Sequence, residues 1–396
     1  MLCKSGSYRY SLSWQFQNEN FANSIRDCQT SFMSMNYSEE ILLDKYNYVL
    51  TQNAKNRLDK LYTYIINGIP ILLEGETGTS KTLTSEIICE YIFEMRNKKN
   101  PNQRENESYI KLNLSSEINI NDLMQKFIGD KSSISGLEIV DGPFLKAFKT
   151  GIPLILDDIN LASEEVLQCI EEALDFGEIN VEISGIGKIN CKKKEGFCLI
   201  AIQNPNRGKY RNKRQYLTKS FLSHFQIIEF PPFDIGELKE ISYVLFKSFN
   251  KNKEINYNDE RFIHDLIDFH RVWTTNEERK NEIACFTIRE ILAVIKAYID
   301  DDEKKNPFIY IKIIYASRYP SHIKNELLEL LGKFKTFKED YDLYKRAHSQ
   351  YRFQEDVNYF YKNEILKDSS LFSLKNGRNI IIVGERGLVN LILREK

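Results

Sequence analysis

Neither sign of charge is in excess in this chain of 396 residues: 55 Lys and Arg stand against 56 Asp and Glu, for a formal charge of −1. That balance removes the footprint on which general nucleic-acid binding rests, the neutralisation of backbone phosphates, so no specific DNA binding is expected. No apolar run approaches 18 residues, so no membrane span is expected. The start, MLCKSGSYRYSLSWQFQ, lacks the apolar segment of a signal peptide. Seven cysteines and five histidines are scattered, with no CxxC pair and no metal-ligand spacing. Reduced thiols in an intracellular setting, cytoplasmic or nuclear, are the plain expectation. What remains is an ordinary globular composition, 42% hydrophobic and 28% charged, which excludes disorder throughout.

Organisation follows from hydrophobic periodicity. Leu58, Leu61, Tyr62 and Ile65 recur at helical spacing and stop at Asn67-Gly68. A compact apolar strand, IPILLEG, then runs into GETGTSKT and the helical LTSEIICEYIFEM. YIKLNLS, PLILDDINLA, FCLIAIQNP and FQIIEFPP read as four further strands, and INVEISGIGKINC as a hairpin around Ser184-Gly185. Strands that are apolar throughout, alternating with helices, predict an α/β fold: a parallel sheet covered by helices on both faces. From Asp234 the pattern becomes helical (IGELKEISYVLFKSF, RFIHDLIDFHRVW, FTIREILAVIKAYI, HIKNELLELLGKF), which predicts an all-α lid domain. The expected division is an N-terminal extension over 1–45, an α/β core over 46–232, a helical lid over 233–335, and a linker with the start of a second module over 336–396. That second module is inferred from a repeat. NGIPILLEGETG (67–78) and NGRNIIIVGERG (376–387) share six of twelve positions, and so long a period implies whole domains in tandem.

Three motifs carry chemistry. Gly75, Glu76, Thr77, Gly78, Thr79, Ser80, Lys81 and Thr82 sit between a strand and a helix, the context of a phosphate-binding loop. Backbone N–H groups and the helix N-terminus favour phosphate oxygens there. Lys81 would reach the β- and γ-phosphates, and the Thr82 hydroxyl would ligate Mg²⁺. Ser80 departs from the pattern, which has Gly at that place, and matters most if its φ is positive. Next, PLILDDIN buries four apolar residues and releases Asp157 and Asp158 at the carboxyl end of a strand, where ligands sit in open α/β sheets. Asp157 would hold Mg²⁺ and Asp158 would orient or deprotonate a water; the plain alternative is a helix cap. Last, Asn204 ends the buried strand of FCLIAIQNPN and could bond a γ-phosphate or the attacking water, or simply form an Asn-Pro turn.

In this order the motifs resemble those of the AAA+ ATPases, within them the dynein-related, MoxR-like and midasin-like branch. ILLEGETGTSKT, DGPFLKAFKTGIPLILDDINLASEEVLQCIEEAL, AIQNP and FTIREIL look like the Walker A, Walker B, sensor-1 and sensor-2 segments of that branch. The resemblance implies ATP and Mg²⁺ as cofactors, ATP hydrolysis, neighbouring modules or subunits in a ring as partners, and a protein or ribonucleoprotein as the remodelled substrate. It also implies a hairpin at 179–191 and an insert within about 115–140 that reach toward a pore or a neighbour. Arg289 aligns with the sensor-2 arginine, its alternative being an exposed helix arginine. Two departures stand out. Where the family carries arginines in a phrase like A-L-R-N-R-F, this chain has Ser220, Phe221, Leu222, Ser223, His224 and Phe225, so both finger arginines are missing. The tandem segment has Asn390 and Leu391 in place of the phosphate lysine and the Mg²⁺ hydroxyl. Upstream of Ser220, Arg207, Lys209, Arg211, Lys213, Arg214 and Lys219 form a run without an acid. It is a solvated basic loop by default, with a substitute finger as the alternative.

Overall fold

The computed structural model describes residues 39–99, 107–129, 137–183, 187–206, 214–251, 254–275, 286–300, 307–316, 319 and 321–351. Most of the N-terminal extension, the repeat at 376–387 and most of the basic run lie outside the described residues.

Two compact units divide between Ile241 and Ser242. The first opens with helices α1 (Glu39–Tyr46) and α2 (Gln52–Ile66). The Thr51 side chain caps α2 by accepting from the Ala54 N–H, and Gly68, at φ +64°, follows its end. Strand β1 (Ile71–Gly75) leads to α3 (Lys81–Lys99) and β2 (Ile110–Asn113). A short helix α4 (Ile120–Leu123) precedes the hairpin β3 (Gln125–Gly129) and β4 (Leu137–Asp141). After α5 (Pro143–Thr150) come β5 (Leu154–Asp157), a single 3₁₀ turn at Ile159–Leu161, and α6 (Glu164–Phe176). The hairpin β6 (Glu178–Ile183) and β7 (Gly187–Lys192) follows, then β8 (Leu199–Gln203), α7 (Lys219–Ser223) and β9 (Gln226–Phe230).

The central sheet is parallel, in the order β2-β5-β8-β1-β9. Both of its faces are buried, which is why its strands read as unbroken apolar runs. Leu72, Leu154, Leu156, Leu199 and Ala201 enter one core with Phe144, Phe148 and Ile170. Ile71, Leu73, Ile155, Ile200 and Ile202 enter the other with Leu61, Ile65 and Ile88. The α/β expectation therefore holds. Between β1 and β2 the chain crosses β8 and β5, and from β2 it returns through β5 and β8 to β9 on the other side of β1. Gly75 closes β1 against β9 so tightly that a Cβ there would lie 2.2 Å from the Phe230 carbonyl oxygen. Only glycine fits.

The second unit is helical. Helix α8 (Ile235–Phe249) crosses the division, followed by α9 (Tyr257–Thr274), α10 (Ile288–Asp300), α11 (Pro307–Ile314), α12 (Ser321–Leu331) and α13 (Lys335–Tyr351). Its core is aromatic: Phe262 stacks on Tyr298 with centroids 4.0 Å apart, and Phe286 on Tyr315 at 4.5 Å. Burial holds His270 near pKa 4, neutral against the Tyr315 hydroxyl 2.8 Å away. The stretch expected as a linker begins with α13. Phe337, Tyr341 and Tyr344 turn one stripe of that helix onto Phe262 and Phe308. No described helix is long and apolar enough to cross a membrane.

Candidate functional site

Three adjacent strands deliver the site. The loop Glu76–Ser80 joins β1 to the N-terminus of α3, Asp157 is the last residue of β5, and Asn204 follows β8. Because β5, β8 and β1 are parallel neighbours, their carboxyl ends bring these residues to one edge of the sheet.

Lys81 is almost fully buried, and its ammonium is shared among oxygens. It donates to the carbonyls of Gly75 and Glu76, both at 2.7 Å, and to Asn204 Oδ1 at 3.0 Å. Asn204 turns its amide the other way and donates from Nδ2 to Asp158 Oδ1 at 3.1 Å. Thr82 donates its hydroxyl to Asp157 Oδ2 at 2.9 Å. Lys81, Thr82, Asp157, Asp158 and Asn204 thus form one polar cluster. Thr79 is buried and donates to the Glu76 carbonyl, which folds the loop on itself. Beneath the first turns of α3, Tyr48 shares a hydrogen bond with Thr84, and burial pushes its phenol up to about 12.

The backbone of the loop answers the question Ser80 raises. Gly78 lies at φ +85° and Ser80 at φ +63°. Serine adopts the left-handed conformation at a cost of about 1–2 kcal/mol, partly offset by its hydroxyl donating to the Thr79 carbonyl at 2.7 Å. The loop shape survives the departure from glycine. Ser80→Gly should therefore change stability by less than about 1 kcal/mol, because strain relief, the lost hydrogen bond and the greater freedom of unfolded glycine oppose one another. Ser80→Val, whose branched Cβ resists positive φ, should lose about 2 kcal/mol or more. Thermal unfolding of the two variants side by side checks this; equal losses would mean that the conformation at Ser80 does not matter.

Two residues outside the expected site, Asn160 and one arginine of the basic run, join the cluster. Asn160, on the 3₁₀ turn after the acids, is 2% exposed and donates from Nδ2 to the Asn204 carbonyl at 2.9 Å. Arg214 donates from Nη1 to Asp158 Oδ1 at 2.7 Å and to Asn160 Oδ1 at 3.0 Å. Arg214 was one basic residue among six, and nothing local marks it. A buried Asn soon after a strand is a weak signal for Asn160.

Arg289 belongs to the second unit, exposed on α10, with its N–H donating to Thr287 Oγ1. At the missing finger positions, Leu222 sits in α7, and His224 Nε2 lies 3.5 Å from Asp175 and 3.8 Å from Glu171, both on α6 of the same chain.

With this geometry in place, comparison with known proteins becomes informative. Residues 70–225, which contain the whole cluster and four of the five strands of the central sheet and end just before β9, match the family described as AAA domain (dynein-related subfamily). This segment is an AAA domain of the dynein-related subfamily. Relatives of the AAA domain include the midasin of Giardia intestinalis, 28% identical over 195 residues, which are 49% of this chain and 4% of that one. The midasin of Dictyostelium discoideum is 28% identical over 255 residues, 63% of this chain and 4% of that one. The matched stretch is therefore a small part of the length of these relatives. Among solved structures, NtrX from Brucella abortus in complex with ADP is similar at a TM-score of 0.41 and 14% identity, over 70% of this chain and 55% of that one.

The donor set of the AAA domain suits a nucleotide with its metal. A cationic side chain lies at the N-terminus of a 19-residue helix, beside a hydroxyl and a carboxylate, the hard oxygen ligands that Mg²⁺ prefers. Binding and hydrolysis of nucleotide is the general chemistry of the family.

Proposed function

We propose that the chain binds ATP with Mg²⁺, hydrolyses it, and uses the cycle to remodel or move a macromolecular partner. The observation that carries this reading is the hydrogen-bonded line Lys81–Asn204–Asp158 lying beside the Thr82–Asp157 pair. In this reading Lys81 would be the phosphate cation, Asn204 the polar sensor, Asp158 the carboxylate, and Thr82 with Asp157 the metal-ligating pair. Gly75 to Thr82 would cradle the triphosphate, with Lys81 on its terminal phosphates. Thr82 and Asp157 would hold Mg²⁺, which when bound offsets phosphate charge. Asp158 Oδ2 accepts no hydrogen bond from any described residue and is the oxygen suited to orient the attacking water; Asn204 and Lys81 fix the geometry around it. In phosphoryl transfer such positioning is most of the catalysis.

In this reading 46–232 is the ATPase core, 233–335 the lid, and Arg289 the lid residue that senses the terminal phosphate. The 1–45 extension and the degenerate segment after 336 flank them. Neighbouring modules or subunits in a ring, and a protein or ribonucleoprotein substrate, are the proposed partners. Leu222 and His224 leave the chain little to offer a neighbour's nucleotide, which favours a second reading: a module that keeps nucleotide as a structural ligand with little turnover. A phosphate-release assay separates the two. Turnover that needs Mg²⁺ and stops on chelation supports the motor; ATP binding with no release above background supports the scaffold.

A further inference from the structure

The contact between Arg214 and Asp158 has no counterpart among the motifs that define the site. Its geometry is that of a support. The guanidinium side chain is 8% exposed, whereas Asp158 is 34% exposed. Its Nη1 holds Asp158 Oδ1 and Asn160 Oδ1 together, and Asn204 donates to the same Asp158 oxygen. One carboxylate oxygen is thereby pinned by two donors while the other accepts from no described residue. Asp158 itself sits at φ +55°, in the left-handed region. The backbone around Arg214 is fixed as well: Asn206 Nδ2 donates to the Arg214 carbonyl at 2.9 Å, and the Gln215 N–H donates to the Asn160 carbonyl at 2.9 Å. Asn160 thus ties Arg214, Asn204 and the turn carrying Asp158 into one unit.

We propose that Arg214 is a positioning residue that acts within its own chain, fixing the Asp158 carboxylate so that Oδ2 orients the attacking water. The proposal rests on the ATPase reading of the same site. It also decides the fate of the one described arginine of the basic run. An arginine that serves a neighbour's nucleotide must reach out of its own surface, and this one is enclosed and held by two oxygens of its own chain.

The test is phosphate release and ATP affinity for Arg214→Ala, Arg214→Lys, Asp158→Asn and Lys81→Ala in the full chain. Arg214→Ala should slow turnover roughly tenfold to hundredfold, the range expected for misplacing a reacting group by about an ångström, with ATP affinity within threefold. Arg214→Lys should recover part of the loss. Arg214→Ala combined with Asp158→Asn should be no slower than Asp158→Asn alone. Mixing the Arg214→Ala chain with the Lys81→Ala chain, which keeps its arginine, should restore nothing. Restoration would assign Arg214 to the neighbour, and a variant faster than the parent would make the contact a brake; either overturns the proposal. So does an unchanged Arg214→Ala rate beside a slowed Asp158→Asn, which leaves the ATPase reading intact. If neither Asp158→Asn nor Lys81→Ala has an effect, the ATPase reading fails and takes this proposal with it. Where turnover is too slow to measure, binding of ADP with aluminium fluoride decides. Arg214→Ala should weaken it by about tenfold relative to ADP alone, and equal affinities overturn the assignment.

Discussion

Asp158→Asn is expected to slow phosphate release by roughly a hundredfold or more, the scale on which a positioned acid or base contributes, while ATP affinity stays within about threefold of the parent. The substitution isolates charge from shape. Asn keeps the size of the side chain and is among the few residues that tolerate the left-handed conformation found at φ +55°. Its amide oxygen can still accept from Arg214 and Asn204 in place of Oδ1. What is lost is the second carboxylate oxygen, the acceptor that would orient and deprotonate water. In the proposed reading phosphate binding rests on the other arm of the cluster, around Lys81 and Thr82, and should persist. Steady-state phosphate release together with calorimetric titration reads both effects. Release at the parent rate would remove Asp158 from catalysis; a parallel collapse of affinity would make its role structural.

Much of this arrangement is legible in the residue order, because each part is announced locally. IPILLEG and PLILDD are apolar through and through, which a strand buried on both faces requires. The glycines and the lysine after β1, and the acids after β5, are punctuation at strand ends, so parallel order alone places them at one edge. The contacts that organise the edge are not local. Arg214 meets Asp158 across 56 positions of sequence and Asn160 across 54, and no periodicity or propensity encodes such a pairing. Ser80 shows a different limit. Its identity flags a departure from glycine, but only the backbone reveals that φ is positive and that the chain absorbs the strain. The hairpin of β3 and β4 falls in a segment that reads as polar, and its strands pair with each other apart from the central sheet. In α13 the signal was present in Phe337, Tyr341 and Tyr344, an aromatic stripe at helical spacing beyond the expected end of the lid.

Lys81→Ala carries the largest expected loss of nucleotide affinity. The ammonium is buried and held by two carbonyls and the Asn204 amide oxygen, so it is already desolvated and aimed before any phosphate arrives. A charge-assisted hydrogen bond contributes about 1.5–3 kcal/mol, and a lysine serving two phosphate groups sits at the upper end or above. Affinity should fall roughly a hundredfold, since each 1.4 kcal/mol is a factor of ten. The same change removes a brace of the loop, so unfolding of the ligand-free variant is measured alongside to separate loss of contact from loss of fold. The decisive measurement is calorimetric titration of ATP with Mg²⁺ into the parent and Lys81→Ala chains. Saturable binding by the parent, weakened about a hundredfold in a variant that remains folded, is the predicted result. Equal affinities in the two chains would show that the nucleotide, if it binds, does not sit on the loop at Gly75–Thr82.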